Sequence, residues 1–399
     1  MSQILKLNRS LVNLKLRHYN KALEDIGKLT ADAQQSEKGF YRAAFSLYEL
    51  GRFQQSHQAL ASLISYYPYC HAAKKEIIRI KQRLREQELG DYDFKAMYRA
   101  AKDTPPCLDN ATFAGNVEVK VSNGCRRGLF TRKDVIAGEL LLCEKAFSYC
   151  SSKHSKTSLL INTHTNRATL STQADLITAT VQKMFRNPSL RPVFTSLHYG
   201  DYKPVDGAEV DGIPIIDTFL VDRIVSLNVF GCPRTSLESH TTNLTSEPQD
   251  QSKSHHTCGI FIKASHINHS CYSNARRSFI GDTQIVRATR NIPAGSEIFF
   301  WYAIPGPSHT YEKTQEKLQN WGFQCTCQQS KKTKKNVSSK RLALLKDLEA
   351  VLGSQTGADM PRAERILDAI EKTYSAPASG VPGLALWDPY LLLTHLQFE

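Results

Sequence analysis

The sequence predicts an α+β protein whose helical ends flank a β-rich centre, and three observations carry that prediction. Apolar residues recur at helical spacing through 40–68 and 71–89. From residue 113 the period falls to two, and turn pairs separate short strands. Helical stripes return over 338–352 and 361–374.

Composition narrows the classes. A length of 399 residues suggests two or three compact units. The hydrophobic fraction of 41% supports buried cores. No run reaches the ~20 apolar residues of a membrane span, so no membrane role is expected. Charges and asparagines interrupt the first residues, MSQILKLNRSLVNLKLRHYN, and no secretory signal is expected. Ten scattered cysteines favour a reducing compartment, nucleus or cytoplasm, over a disulfide scaffold. The net charge of +13 permits an acidic partner. No recognition motif accompanies it, so direct nucleic-acid binding is not expected.

The first helical text is FYRAAFSLYELGRFQQSHQALASLISYYP. Phe40, Ala43, Ala44 and Leu47 form one stripe, Gly51 breaks it, and Phe53, Ala59, Leu60 and Leu63 form the next. The pattern resembles one tetratricopeptide (TPR) repeat, a unit of about 34 residues, with Ser56 where the repeat prefers alanine. Structural support is the simpler role for it; docking of a protein partner through these TPR-like helices is the alternative. Residues 71–89 place Ile77, Ile80 and Leu84 on one side and basic residues on the rest. The run Asp103-Thr104-Pro105-Pro106 then breaks the helical pattern.

The β-rich text begins with Val117, Val119 and Val121 alternating with charged residues. Asn123-Gly124 and Ala137-Gly138 supply turns around Leu129-Phe130 and Glu139 to Cys143. No dinucleotide fingerprint or phosphate loop is present. Residues 159–200 read as mixed and partly helical, and a helix is expected before Asn228-Val229-Phe230. Residues 234–257 are rich in Ser, Thr, Gln and His and read as a surface insertion. Its His240, His255 and His256 lack a metal-ligand pattern. The strongest chemical text follows: SHINHSCYSNA, then NIPAGSEIFFWY, then WGFQCTC.

The segments RGLF, VIAGELLL, NVF, SHINHSCYSNA, NIPAGSEIFFWY and GFQCTC occur in the order seen in SET-domain methyltransferases. The chain resembles the fungal TPR-containing and SMYD-type members, without an evident MYND zinc finger. The likeness covers roughly 115–330. It implies a β-rich SET fold with N-terminal TPR-like helices and a C-terminal helical extension, with late segments crossing in a knot-like way. It divides the chain into a TPR-like domain (1–110), a SET domain with insertions (111–308), a post-SET-like segment (309–335) and a helical extension (336–399).

The resemblance implies a protein lysine methyltransferase that uses S-adenosyl-L-methionine, with a lysine-bearing protein as substrate. Tyr302 matches the catalytic tyrosine. Arg127, Gly128 and Leu129 match the early cofactor loop, Asn228 the NxF asparagine, and Ser265, Asn268 and His269 the cofactor pocket. Phe323 matches the aromatic residue packed on the cofactor, and Tyr302 also borders it. Phe299, Phe300 and Trp301 are candidates for the lysine channel; strand parity with Tyr302 favours Phe300. A catalytically degenerate SET/TPR interaction scaffold is the alternative function.

Two departures from the family pattern stand out. Arg126 occupies the place of the first loop glycine, although Gly124 permits a shifted turn. Cys271, Cys325 and Cys327 match three zinc thiolates, but Ser330 stands where the family has the fourth. Cys232, Cys258 and His309 are substitutes to consider. A structural zinc site and a segment held by packing alone both remain compatible with this text. The run KKTKK at 331–335 reads as a solvated linker, with a nuclear import element as the alternative, and ALWDPYLLLTHL as a packed helix.

Overall fold

The computed structural model describes residues 2–103, 105–122, 125–151, 158–163, 165–205, 207, 209–211, 213–239, 257–271, 273–302, 311–325, 335–352 and 359–373. The insertion 240–256, His309, Cys327, Ser330, Gly124, the run 331–334 and the text ALWDPYLLLTHL lie outside these residues, as does the side chain of Arg126. The chain forms two compact units. One comprises 1–267 and 275–298, the other 268–274 and 299–399.

The first unit opens with helices α1 (Gln3–Lys15), α2 (Tyr19–Gly27), α3 (Glu37–Glu49), α4 (Phe53–Tyr66), α5 (His71–Leu89) and α6 (Phe94–Ala100). The Ser36 hydroxyl caps α3 by accepting the Gly39 N–H at 3.1 Å. Gly51 turns the chain between α3 and α4 with φ +74°, a conformation that favours glycine. Ala44, Leu60, Leu63, Ala73 and Ile80 are buried together, as the helical stripes require. The Ser56 hydroxyl donates to the Ala44 carbonyl at 2.6 Å within this contact. Its small size lets α3 and α4 close together, and the bond satisfies its buried oxygen. Among the described residues, no helix is long and apolar enough to cross a membrane.

Helix α6 leads into the sheets through a shared core of Met97, Ala101, Phe113, Cys143 and Ile285. The strands are β1 (Val117–Ser122), β2 (Cys125–Thr131), β3 (Leu140–Lys145), β4 (Ser148–Ser151), β5 (Leu159–Asn162) and β6 (Arg167–Leu170). Helices α7 (Ser171–Arg186) and α8 (Thr218–Asn228) follow, then β7 (Val229–Gly231) and β8 (Thr257–Ile260). Strands β1 and β2 form an antiparallel hairpin, and β8 lies between β4 and β7. After the excursion through 268–274, β9 (Ala275–Ile280) and β10 (Thr283–Ala288) return to the first unit and pair with β3 in the order β9-β10-β3. Leu141, Leu142 and Val286 are fully buried at the heart of this sheet.

The second unit holds a short parallel pairing, Asn268–His269 against Phe299–Phe300. Helices α9 (Tyr311–Leu318), α10 (Lys335–Leu352) and α11 (Met360–Glu371) follow. Helices α10 and α11 pack through Leu345, Leu348, Leu367 and Ile370. The Arg341 guanidinium ties them by donating to the Thr373 carbonyl at 3.0 Å.

Candidate functional site

In the first unit, the loop candidates sit on β2. A Cβ placed on Gly128 would stand 2.2 Å from Oε1 of Glu297. Glycine leaves room for that carboxylate against the strand, and a larger residue would push the acid aside. The other Glu297 oxygen accepts from the Ser122 hydroxyl at 2.8 Å. The Ile298 N–H donates to the Leu129 carbonyl at 2.8 Å, and the Leu129 side chain is fully buried. Leu129 therefore offers a ligand no more than backbone. Arg127 is exposed, and its guanidinium donates to the Ser196 carbonyl.

Asn228 ends α8. Its side-chain amide donates to the carbonyls of His198 at 2.8 Å and Ile224 at 2.7 Å. Those bonds orient the side chain, so Oδ1 is its remaining acceptor. Ser265 lies in a 3-10 turn, Ala264–His266. Its hydroxyl oxygen is buried and has no hydrogen-bond partner among the described residues.

A residue outside every motif of the sequence holds this turn. Glu144 on β3 is buried, and its two carboxylate oxygens accept the backbone N–H groups of Lys263 at 2.7 Å and Ala264 at 2.9 Å. Burial pushes its pKa up to about 7, against the lowering effect of those N–H donors. The text CEKAF gave one signal, an acid at an inward position of an apolar strand. His266 in the same turn is held neutral. Burial first, then Arg127 and Lys263, push its pKa down to about 4.

In the second unit, the parallel pairing sets His269 beside Phe300 and leaves Tyr302 two residues further on. The Tyr302 N–H donates to Nδ1 of His269 at 3.2 Å, and the Ser270 N–H to the Phe300 carbonyl at 3.0 Å. The Phe299 N–H donates to Oδ1 of Asn274 at 2.8 Å. The Tyr302 ring meets His269 at 5.6 Å and Phe323 at 6.0 Å, both edge-to-face. His269 and Phe323 also face each other at 6.1 Å.

A further ring, Trp321, lies 5.2 Å from Tyr302 and was not singled out from the sequence. Gly322 between Trp321 and Phe323 adopts φ +75°, the left-handed turn that lets both flanking rings reach Tyr302. The channel candidates fare differently. Phe300 is 2% exposed and Trp301 9% exposed, with the indole N–H donating to the Cys271 carbonyl at 3.2 Å. Both are core residues here, because tertiary packing closes over the strand. Phe299 stays partly accessible.

Of the proposed thiolates, Cys271 and Cys325 come together, with Sγ atoms 3.8 Å apart. Cys325 is positioned by Gln315, whose amide accepts the Cys325 N–H and donates to its carbonyl, each at 3.0 Å. His269, Cys271 and Cys325 have donor atoms within 4.8 Å of one another. Two thiols and an imidazole are a donor set that fits zinc. The substitutes Cys232 and Cys258 are not in that group; they are buried in the first unit around β7 and β8.

Residues 126–303 match the SET domain family. This segment contains the β-rich centre, the Asn268–His269 pair and Tyr302. That segment is therefore similar to SET domains. It is similar to a protein of Gibberella zeae named "Methyltransferase", at 44% identity over 398 residues, 97% of this chain and 55% of that protein. A histone-lysine N-methyltransferase SET5 of Meyerozyma guilliermondii is 34% identical over 115 residues, 24% of this chain and 23% of that protein. The N-lysine methyltransferase SMYD2-B of Xenopus laevis is 28% identical over 134 residues, 33% of this chain and 31% of that protein. The chain thus spans about half the length of its methyltransferase relative from Gibberella zeae.

Proposed function

We propose that this chain is an S-adenosylmethionine-dependent protein lysine N-methyltransferase acting on a histone or non-histone protein. The observation that carries the reading is Tyr302 set among His269, Trp321 and Phe323 at the end of the parallel pairing, in a segment similar to SET domains. When bound, S-adenosylmethionine supplies an electrophilic methyl group.

A substrate lysine has an ordinary pKa of about 10.4 and offers no lone pair while protonated. Aromatic rings around Tyr302 offer apolar surface, which favours the neutral amine. The Tyr302 hydroxyl can hold that amine in line for attack, and such placement supplies much of the rate. In the first unit, the orphaned Ser265 hydroxyl and Oδ1 of Asn228 fit a polar ligand. Arg127 offers a cation for a carboxylate, and Gly128 and Leu129 offer backbone. In the second unit, Asn268 and His269 offer polar atoms, and the Phe323 ring an adenine face. The helical hairpin of α3 and α4 is proposed as a TPR-like structural support, with docking of a protein partner as the alternative.

The test is methyl transfer from labelled S-adenosylmethionine to histones and to a protein library, beside Tyr302→Phe. Transfer by the native chain and its loss in Tyr302→Phe is expected. No transfer across the panel, or equal product from both proteins, overturns the reading.

A further inference from the structure

We propose that Glu144 is a positioning residue for the transfer: its carboxylate holds the turn 263–266 and so sets the Ser265 hydroxyl for the cofactor, while the buried Gln284 amide is the second partner that lets the turn go. The inference rests on the reading of Ser265 as a cofactor residue. Glu144 acts through the turn, from the neighbouring strand.

Glu144 on β3 and Gln284 on β10 stand directly opposite each other in the sheet. Such a pair shares one face, with Cβ atoms about 5 Å apart. Leu142, Val286 and Phe279 lie on that face and are buried. Phe279 packs on Phe261, just before the turn, with ring centroids 5.8 Å apart. Two polar side chains are therefore enclosed by apolar ones. Glu144 accepts the N–H groups of Lys263 at 2.7 Å and Ala264 at 2.9 Å. Gln284 is fully buried, yet neither of its amide atoms has a hydrogen-bond partner among the described residues.

The turn uses its other donors internally. The Ser265 N–H donates to the Phe261 carbonyl at 2.9 Å, the His266 N–H to that of Lys263 at 3.1 Å, and the Ile267 N–H to that of Ala264 at 3.0 Å. The two N–H groups just before them go to Glu144. With these fixed, the backbone around Ser265 is set, and its buried hydroxyl is left for a ligand. Strand β2, which carries Arg127, Gly128 and Leu129, packs against the same turn.

An ionised carboxylate only accepts hydrogen bonds; once protonated it has an O–H to donate. Oε1 of Gln284 is the acceptor across the sheet, so the protonated acid can leave one turn N–H for the amide. Burial pushes the Glu144 pKa up to about 7, against the turn N–H groups and the Lys263 charge. His266 on the turn stays neutral, pushed down to about 4 by burial, Arg127 and Lys263. The Cys143 thiol, next on β3, is pushed up to about 12 by burial. Gln284 on β10 and Phe279 on β9 carry no charge. Glu144 is thus the member of this set that titrates near neutrality, with the turn gripped above about pH 7 and released below it.

The full chain is titrated with S-adenosylmethionine by calorimetry between about pH 6 and 8, beside Glu144→Gln, Ser265→Ala and the two combined. Glu144→Gln imitates the protonated acid and should bind roughly 10-fold more weakly at the upper end, about the loss of one hydrogen bond. The ratio of native to Glu144→Gln affinity should rise roughly 5-fold across the range; taking the ratio removes the titration of the cofactor's own amine. The combined variant should bind about as weakly as Glu144→Gln, since both losses act through Ser265.

Hydrogen exchange of the Lys263 and Ala264 amides in the unliganded chain, corrected for intrinsic rate, reads the clamp without the cofactor. Their protection should fall in Glu144→Gln, and in the native chain as pH falls through about 7. Gln284→Leu removes the second partner and should carry that protection to lower pH; it also serves should Glu144→Gln fail to fold. A pH-independent affinity ratio, additive losses in the combined variant, or unchanged protection overturns the inference. Native protein that binds no S-adenosylmethionine sinks the proposed function, and the exchange readout then decides the clamp by itself.

Discussion

The candidate residues of the first unit and those of the second are held by different means. Gly128 and Leu129 are fixed mostly by backbone, a strand hairpin and a bridge to Ile298, and the turn of Ser265 by one buried carboxylate. His269, Tyr302, Phe323 and Cys325 hang on a two-residue pairing and are arranged largely by side chains, among them Asn274, Trp301 and Gln315. Sheet hydrogen bonds tolerate many side-chain changes. A side-chain frame loses its geometry one residue at a time. The first arrangement suits a bed for a ligand, and the second suits chemistry that needs a few atoms placed closely.

The largest expected effect separates chemistry from framework. Tyr302→Phe should lower methyl transfer roughly 100-fold or more while leaving thermal stability close to native. A parallel fall in melting temperature would assign Tyr302 to the framework instead.

Next, Glu144→Ala should cost about 2–4 kcal/mol of stability by orphaning one buried and one part-buried N–H group. Denaturant unfolding measures it, and a change below about 1 kcal/mol would show that the turn does not depend on the carboxylate. Its pH dependence has a definite sign. The folded-state pKa of Glu144 lies near 7, above its ordinary 4.5. Its proton-linked contribution is full below about 4.5 and is lost as pH rises through about 7. His266, lowered from 6.5 to about 4, works in the other direction, its contribution being lost as pH falls through about 4. From pH 7.5 to 5.5, native stability relative to Glu144→Gln should therefore rise. A flat difference would remove the raised pKa.

Smaller still, Gly128→Ala should destabilise by about 1–3 kcal/mol, because the new methyl meets the Glu297 carboxylate. Shortening that acid in Gly128→Ala/Glu297→Ala should return part of the loss; additive losses would point to backbone strain. Gln315→Ala should cost about 1 kcal/mol and disturb the rings of the second unit alone. Tryptophan fluorescence should report the change near Trp321, and an unaltered spectrum would detach Gln315 from the aromatic cluster.

Much of this was legible in the text. The stripe through Ala44, Leu60 and Ile80 becomes a buried helical core, since helical period alone marks one apolar face. The alternation at Val117 to Val121 becomes β1. The motif SHINHSCYSNA and the run ending in Tyr302 converge, although 33 positions separate His269 from Tyr302. Glu144, Gln315 and Trp321 were not legible as site residues. Their roles come from contacts distant in sequence, and nothing local distinguishes them from a capping acid, a surface amide or a packed ring. Phe300, which strand parity groups with Tyr302, is buried, a degree of packing that parity alone does not reveal.

By itself, then, the sequence determined the α+β class, the helical ends and the strands of the β-rich centre, and it offered candidates for the site. Period, turn residues and motif order are local properties, and they survive any arrangement of the chain. Only the tertiary structure decided that Glu144 clamps the turn of Ser265, that the Glu297 carboxylate lies against Gly128, and that His269 stands 3.4 Å from the Cys271 sulfur. Those facts depend on distances of a few ångströms between segments far apart in the chain. The spacing of letters along it carries no such information.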